Sequence, residues 1–211
     1  MAINMKRMTE NQLHEHVAEI EGHGSQVTGV VGYFYEMYRR EVIERVAGTS
    51  NRDILEVGCG EGMMFDETTI APIQMDVSMR RVRFARQKGQ LALCGDGYHI
   101  PFKTGSFSTV LLVAMLEHTS APERVLAEAR RVLKRGGKTI IVVPNDVTMS
   151  AGRLLLGKFP IRYPDHLTFT TPARMHRWLA DGFTIREEFP LPFRRLPFAA
   201  NLYYFMVAEA A

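Results

Sequence analysis

The sequence predicts an α/β fold in which a doubly wound, mainly parallel sheet carries helices on both faces. Two observations lead to this prediction. Short apolar runs alternate with helical apolar patterns along most of the chain, which is typical of parallel strands joined by helices. The apolar run from Asp53 to Val57 passes directly into a loop with glycine at three alternate positions, as expected where a buried strand turns sharply.

The length and composition fit one such domain with small additions. The chain has 211 residues, of which 46% are hydrophobic, enough for a substantial core. Its net charge of +3 is small and its basic residues are dispersed, so no nucleic-acid partner is expected. The first 24 residues carry charges throughout, unlike a signal peptide, and no apolar run reaches the roughly 20 residues of a membrane span. We therefore expect a cytoplasmic monomer or homodimer.

The cysteines and paired histidines do not form a recognisable metal-binding pattern. Cys59 and Cys94 are the two cysteines of the chain and give neither a disulfide framework nor a metal motif. Cys59 lies inside the glycine loop, where a small packing residue fits. His14 and His16 stand two apart and so fall on different faces of a polar helix. No metal site is predicted.

Residues 1–48 are predicted to form a helical extension. A polar helix is expected up to about residue 24, and an amphipathic helix from Val30 to Val46. The second helix carries an aromatic stripe of Tyr33, Tyr35 and Tyr38. Two interpretations stay open: the tyrosines pack in the core, or the helix folds over a pocket as a lid and touches a ligand there.

The glycine loop after the first strand predicts a ligand site. Gly58, Gly60 and Gly62 allow a ligand to approach the backbone closely. Free N–H groups at the start of a following helix would suit an electron-rich group, and Glu56 would suit a cationic or hydroxyl-bearing one. A dinucleotide fingerprint would have glycine where Met63 stands, and the Gly-Lys-Ser/Thr of a P-loop is absent.

The second strand ends in an acidic residue. The strand is predicted from Ile70 to Met75, and Asp76 lies twenty residues beyond Glu56, where an acidic residue binds a ribose in nucleotide-binding βαβ units. The alternative is a favourable charge at the start of the helix that Ser78 begins. Since the segment from Gly62 to Asp76 is short, we expect a truncated first helix.

The remaining elements continue the alternation. The Lys134–Gly137 segment is predicted to end a helix with a glycine cap, and the segment of about 145–170 is predicted to be an irregular cap over the sheet. The predicted elements are strands over 91–94, 107–113, 138–143, 183–189 and 203–208 and helices over 78–88, 122–133 and 171–181.

Several motifs in this order resemble those of the class I S-adenosylmethionine (SAM)-dependent methyltransferases, the broad small-molecule group that includes quinone-biosynthesis methyltransferases. The matching stretches lie at 56–62, 76–78, 95–96, 101–102, 116–118 and 131–137. The resemblance implies a seven-stranded Rossmann-like sheet in the order 3-2-1-4-5-7-6, with the last strand antiparallel. It also implies a SAM-binding domain over residues 49–211, with S-adenosylhomocysteine as the product.

The cofactor contacts implied by the resemblance fall at the ends of successive strands. They are Glu56, Gly58, Cys59, Gly60 and Gly62 for the methionine part, Asp76 for the ribose hydroxyls, Val77 or Met79 for packing on adenine, Asp96 and Gly97 for its polar edge, and Val113 and Ala114 for the methionyl end. For Asp96, an ordinary turn aspartate is the alternative. Ser108 departs from the pattern, since an aspartate is common there, and Gly97 and Ala114 often carry larger residues.

The chemistry implied is the transfer of a methyl group to a small-molecule acceptor through an O, N or C atom, by in-line displacement. Such a reaction needs an aligned acceptor and a desolvated site, and an acidic acceptor gains from a general base. His118, just past the fourth strand, and His166, in the cap, are the candidates. For each, a structural role in loop packing or capping is the alternative.

Other functions stay open at this point. The chain lacks the Asn/Asp-Pro-Pro-aromatic motif of DNA amino-methyltransferases after strand four, and it has no cysteine there for cytosine-C5 methylation. A methyltransferase acting on protein or RNA, or a SAM-binding protein without turnover, remains an alternative to the small-molecule enzyme. A nicotinamide-dependent oxidoreductase is disfavoured by Met63.

Overall fold

The computed structural model describes residues 8–21, 29–155, 157, 163 and 165–211. In this part of the chain seven strands form one sheet in the order β3-β2-β1-β4-β5-β7-β6. The strands are β1 Ile54–Val57, β2 Ile73–Asp76, β3 Ala92–Cys94, β4 Phe107–Val113, β5 Leu133–Pro144, β6 Phe183–Leu191 and β7 Tyr203–Ala210. β1 to β5 pair in parallel, and β7 runs antiparallel between β5 and β6. The predicted fold class and strand order are therefore confirmed.

Six α-helices accompany these strands in the described residues. They are α1 Glu10–Glu21, α2 Gly29–Val46, α3 Met79–Gln87, α4 Pro122–Val132, α5 Asp146–Leu155 and α6 Pro172–Leu179. Ser78 caps α3 by accepting a hydrogen bond from the Arg81 N–H, and Thr171 does the same for α6 from the Arg174 N–H, as expected for these residue types.

Two apolar layers cover the two faces of the sheet. In β4, Val110 and Leu112 pack in the layer that includes α4 and α6, whereas Leu111 and Val113 pack in the layer that includes α2. Alternate side chains of a strand point to opposite faces, so a continuously apolar strand requires cover on both sides. This explains why the central strands lack a polar face.

The prediction of a truncated first helix is confirmed. Between β1 and β2 the chain forms a short 3-10 turn, Met63–Phe65, and no α-helix. Gly62, just before it, has a φ of 73°, a conformation that L side chains rarely adopt. The C-terminal end of β1 therefore opens directly into a tight loop.

The predicted glycine cap of α4 is wrong. α4 ends at Val132, and the chain is already extended at Leu133, where β5 begins. Gly136 and Gly137 instead lie in β5 where its pairing with β4 shifts register, between Phe107 and Thr109 of β4. A Cβ at Gly137 would lie 2.8 Å from the Lys134 carbonyl oxygen, so close backbone approach explains the glycine there.

The predicted irregular cap is wrong over Asp146–Leu155, which forms α5. The Asn145 side-chain oxygen accepts hydrogen bonds from the N–H groups of Val147 and Thr148, at 3.2 and 3.3 Å. An asparagine in this position satisfies N–H groups that the first helical turn leaves without partners. Among the described residues, no helix combines the length and the apolar character that crossing a bilayer requires.

Candidate active site

A cleft opens at the carboxyl ends of the parallel strands. Gly58 after β1, Asp76 at the end of β2 and Asp96 after β3 line it, together with Ala114 after β4. Strand ends that meet at one edge of an open α/β sheet are where such folds bind ligands. Predicted residues at the ends of four separate strands are thus brought to one place.

Asp76 is held in position by the backbone around it. Its Oδ2 accepts a hydrogen bond of 2.8 Å from the Gly60 N–H, and its Oδ1 one of 2.9 Å from the Ser78 N–H. The side chain is buried at the cleft wall. Because a carboxylate offers about four acceptor sites, Asp76 retains capacity for two hydroxyl donors.

Glu56 lies beneath the cleft and does not line it. Its Oε2 accepts a 2.8 Å hydrogen bond from the Gln74 amide, and the side chain is almost fully buried. Burial, with a smaller contribution from the Asp76 charge, raises the pKa of the Glu56 carboxyl to about 8, against the lowering effect of Gln74. The carboxyl is therefore mostly protonated at neutral pH.

The prediction of free N–H groups in the glycine loop is wrong for four of its residues. The N–H groups of Gly58 and Cys59 donate to the Met75 carbonyl, that of Gly60 donates to Asp76, and that of Gly62 donates to the Cys59 carbonyl. The loop lacks a following α-helix that would leave donors unpaired. Its glycines therefore shape the loop rather than present donors.

The shape of the loop fits a ligand that lies against its backbone. Gly60 has a φ of 56°, and a Cβ built there meets no heavy atom within 4 Å. At Gly58, by contrast, a Cβ would lie 2.6 Å from the Met115 Cβ. Gly58 lines the cleft and has no room for a side chain, whereas Cys59, Gly60 and Gly62 lie outside the cleft lining. The Asp76 carboxylate and the bare backbone at Gly58 fit an adenosyl group with ribose hydroxyls.

The predicted adenine end is only partly assembled around the cleft. Val77, Asp96 and Gly97 line it, and the Asp96 Oδ1 accepts a 2.8 Å hydrogen bond from the Tyr98 N–H. Met79, the first residue of α3, lies outside the lining and is 40% exposed.

The two residues predicted for the methionyl end of the cofactor lie in different environments. Val113 is buried in the layer under α2, whereas Ala114 lines the cleft and has a φ of 48°. A positive φ is rare for a residue with a Cβ and marks a sharp turn at the end of β4. This turn directs the following residues, including Met115, towards the cleft.

His118 lines the same cleft and pairs with Asp165. Its Nδ1 lies 3.2 Å from the Asp165 Oδ2 and 3.1 Å from the Asp165 carbonyl oxygen. Burial lowers the pKa of the His118 imidazole, but the hydrogen bond and charge of Asp165, helped by Glu117, outweigh it and raise the pKa to about 9. The imidazole is therefore cationic at neutral pH and must lose a proton before it can act as a base.

His166 lies behind His118. The two rings are 4.9 Å apart in an edge-to-face arrangement, and the His166 Nδ1 lies 2.5 Å from the Asp146 Oδ1. The buried Glu117 carboxyl stands beside both histidines, and its burial raises its pKa. His166 is not among the residues that line the cleft.

The cover over the cleft comes from α1 and not from the tyrosines of α2. Glu10 accepts hydrogen bonds from the Tyr98 and Ser120 hydroxyls, at 2.9 and 2.7 Å, and the His14 Nε2 lies 3.0 Å from the His118 carbonyl oxygen. None of the three tyrosines is in the cleft lining. Among the tyrosines, Tyr38 packs against Tyr203, Tyr35 packs beside it, and Tyr33 is exposed.

Sequence reasoning missed several residues of this site: Glu10, His14, Met115, Asp146 and Asp165. They come from α1, the turn after β4 and the segment after β5, which carry no motif that identifies a contact. The adjacency of Asp165 and His166 was visible, but not that Asp165 pairs with His118.

Comparison with known proteins agrees with this geometry. Residues 55–141 match a family model described as a methyltransferase domain. An uncharacterized protein of Methanocaldococcus jannaschii is 30% identical over 133 residues, 63% of this chain and 55% of that protein. The ubiquinone biosynthesis O-methyltransferase of Pectobacterium atrosepticum is 22% identical over 208 residues, 88% of this chain and 86% of that protein.

Solved structures share the fold. The magnesium protoporphyrin IX methyltransferase of Synechocystis, determined with bound SAH, has a TM-score of 0.66 at 17% identity, over 96% of this chain and 100% of the other. The chain spans about half the length of several curated relatives that it matches. Residues 55–141 thus form a methyltransferase domain, and the motifs and strand order of the chain are those of the class I SAM-dependent methyltransferase superfamily.

Proposed function

We propose that this protein transfers a methyl group from SAM to a small-molecule acceptor. The observation that carries the proposal is the single cleft in which Asp76 and Asp96 face the same space as the loop after β1 and the turn after β4. The match of residues 55–141 to a methyltransferase domain supports the same reaction.

The residues of the chain have separate tasks in this proposal. Asp76 accepts hydrogen bonds from the ribose hydroxyls, and the Gly60 N–H holds its carboxylate in place. Asp96 accepts from the adenine amino group, and Val77 packs against the ring. Glu56, buried with Gln74, supports the strand end that carries the loop.

The reaction requires alignment more than proton transfer. When bound, SAM supplies a methyl group on a cationic sulfur, which is already activated towards attack. The acceptor attacks in line, the S–CH₃ bond breaks as the new bond to the acceptor forms, and S-adenosylhomocysteine leaves. His118, with Asp165 on its Nδ1, and His166 behind it are our candidates for orienting the acceptor and handling its proton.

The acceptor is proposed to be small and partly apolar. The relatives named as ubiquinone-biosynthesis and demethylmenaquinone methyltransferases support this class. α1, joined to the cleft rim through Glu10 and His14, is proposed as the lid. The alternatives of protein or RNA methylation have no specific observation among the described residues in their favour.

Calorimetric titration with SAM and S-adenosylhomocysteine tests the cofactor site. Asp76→Asn keeps the shape of the side chain but removes the charge proposed to bind the two ribose hydroxyls. We therefore expect SAM to bind at least tenfold more weakly, a loss of about 1.4 kcal/mol in binding free energy. Asp181→Asn makes the same change at an exposed turn and should leave the affinity unchanged. Equal affinity of the Asp76 variant and the wild type would overturn the site assignment.

Transfer of a radiolabelled methyl group from SAM to cell extract tests the reaction. A labelled small product is the expected result. Label that appears only in protein or RNA would favour a macromolecular acceptor. Tight SAM binding without any labelled product would favour a SAM-binding protein that lacks turnover.

A further inference from the structure

Metal-ligating side chains gather at the acceptor end of the cleft. Glu117, His118 and His166 each bring one ligand atom within 4.8 Å of those of the other two. Ligands that share one ion through bonds of about 2.0–2.2 Å lie closer than this, so small side-chain rotations would complete a shared site. His118 and His166 are 48 positions apart in the sequence, which explains why no metal site was predicted from spacing.

A buried carboxylate in this cluster lacks a partner. Glu117 is 1% exposed, and its Oε2 has no hydrogen-bond partner in the described part of the chain. Its Oε1 lies 4.0 Å from the His118 Nε2. The Oδ2 of the buried Asp146 likewise has no partner among the described residues. A buried polar atom without a partner is costly, and a cation beside Glu117 would compensate it.

Both imidazoles hold a carboxylate on Nδ1. The His118 Nδ1 lies 3.2 Å from the Asp165 Oδ2, and the His166 Nδ1 lies 2.5 Å from the Asp146 Oδ1. Metal-ligating histidines almost always carry a carboxylate, carbonyl or water on one ring nitrogen while the other binds the ion. Two carboxylate–histidine pairs beside one buried glutamate fit that arrangement.

We propose that Glu117, His118 and His166 bind one divalent transition-metal ion, and that this ion is Zn²⁺. Asp146 and Asp165 are positioning residues that orient the two imidazoles. Two nitrogen donors with one oxygen donor favour Zn²⁺ over Mg²⁺ or Ca²⁺, which prefer oxygen ligands. Three protein ligands also leave a coordination position open, as catalytic zinc sites do.

The location of the open position points to the acceptor, and this step rests on the proposed function. His118 lines the cleft while Glu117 and His166 lie behind it, so the ion would lie at the cleft wall beside the His118 ring, and the proposal directs its open coordination position towards the acceptor. An acceptor hydroxyl bound to the ion loses its proton more readily. The O–H proton passes to solvent, the oxygen forms its bond to the methyl carbon, and the S–CH₃ bond breaks. The acceptor class is therefore a hydroxyl compound.

Calorimetric titration of tag-free, chelator-treated protein with Zn²⁺ tests the proposal. We expect one ion per chain, at least tenfold weaker binding in Glu117→Gln and in His166→Gln, and 10–100-fold weaker binding in Asp146→Asn. His176→Gln is the matched control, because His176 pairs with Glu188 on the surface. Cys94→Ser removes the exposed thiol; both controls should bind Zn²⁺ as the wild type does.

Thermal unfolding of the same samples provides a second readout. Zn²⁺ should raise the Tm of the wild type and of both controls, but not that of Glu117→Gln or His166→Gln, because an ion that binds the folded state stabilises it. Absence of stoichiometric binding by the wild type, or unchanged binding in both ligand variants, would overturn the proposal. SAM binding without Zn²⁺ binding would overturn this site alone, and Zn²⁺ binding without SAM binding would overturn the proposed function alone.

Discussion

The two ends of the cleft are built in different ways. At the proposed cofactor end, Asp76 closes β2 and Asp96 follows β3, and backbone N–H groups hold both carboxylates: those of Ser78 and Tyr98, two residues further on, and that of Gly60 in the loop after β1. At the acceptor end, His118 is positioned by Asp165 and lies against His166 and His14, which come from other segments. Backbone hydrogen bonds therefore position the side chains at the proposed cofactor end, whereas side-chain contacts between segments distant in sequence position those at the proposed acceptor end.

This comparison predicts first that the cofactor end tolerates no added atom where it is closely packed. In Gly58→Ala the new Cβ would lie 2.6 Å from the Met115 Cβ, at a φ of 78°. We expect a loss of about 2–4 kcal/mol in the free energy of unfolding, from combined overpacking and backbone strain. Denaturant titration measures this loss.

Gly89→Ala is the matched control for that change. Gly89 has a φ of 81°, but a Cβ there meets no atom within 4 Å. Backbone strain alone should lower the free energy of unfolding of this variant by about 1 kcal/mol. Equal losses in the two variants would show that close packing at Gly58 contributes nothing.

The second prediction separates the two ends. Asp165→Asn removes the charge beside the His118 Nδ1 but leaves Asp76 and Asp96 unchanged. We expect the rate of methyl transfer to fall at least tenfold, or about 1.4 kcal/mol, while the Kd for SAM changes less than twofold. Single-turnover kinetics and calorimetry measure the two quantities. An equal loss of both would contradict the division of the cleft.

The third prediction concerns Glu56, whose pKa burial raises to about 8. Because the folded-state pKa is above the unfolded value, the stabilising contribution of this carboxyl is fully present below about pH 4.5 and is lost as pH rises through about 8. Glu56→Gln should weaken this decline and raise the free energy of unfolding at pH 9 by on the order of 1–3 kcal/mol relative to the wild type.

Tm measured against pH tests this dependence. Glu44→Gln, which changes an exposed glutamate on α2, should follow the pH dependence of the wild type. If the Glu56 and Glu44 variants lose stability in parallel with the wild type above pH 7, Glu56 is not the group responsible.

The same comparison shows what could be predicted from the sequence. The glycine loop, Asp76 and Asp96 were identifiable because each follows a strand at a characteristic spacing, and the strand order followed from the resemblance. Helix α5 was not predicted. Asn145 caps it from just before its first residue, but this asparagine directly follows a proline, which obscured the start of the helix. The Asp165–His118 pair joins residues 47 positions apart, and no periodicity in a single sequence reports such a contact.

A crystal structure with bound S-adenosylhomocysteine would test the division of the cleft most directly. The account predicts the ribose hydroxyls within hydrogen-bond distance of the Asp76 carboxylate, the adenine beside Asp96 and the sulfur directed towards His118. A ligand bound elsewhere, or bound with its sulfur directed away from His118, would contradict it.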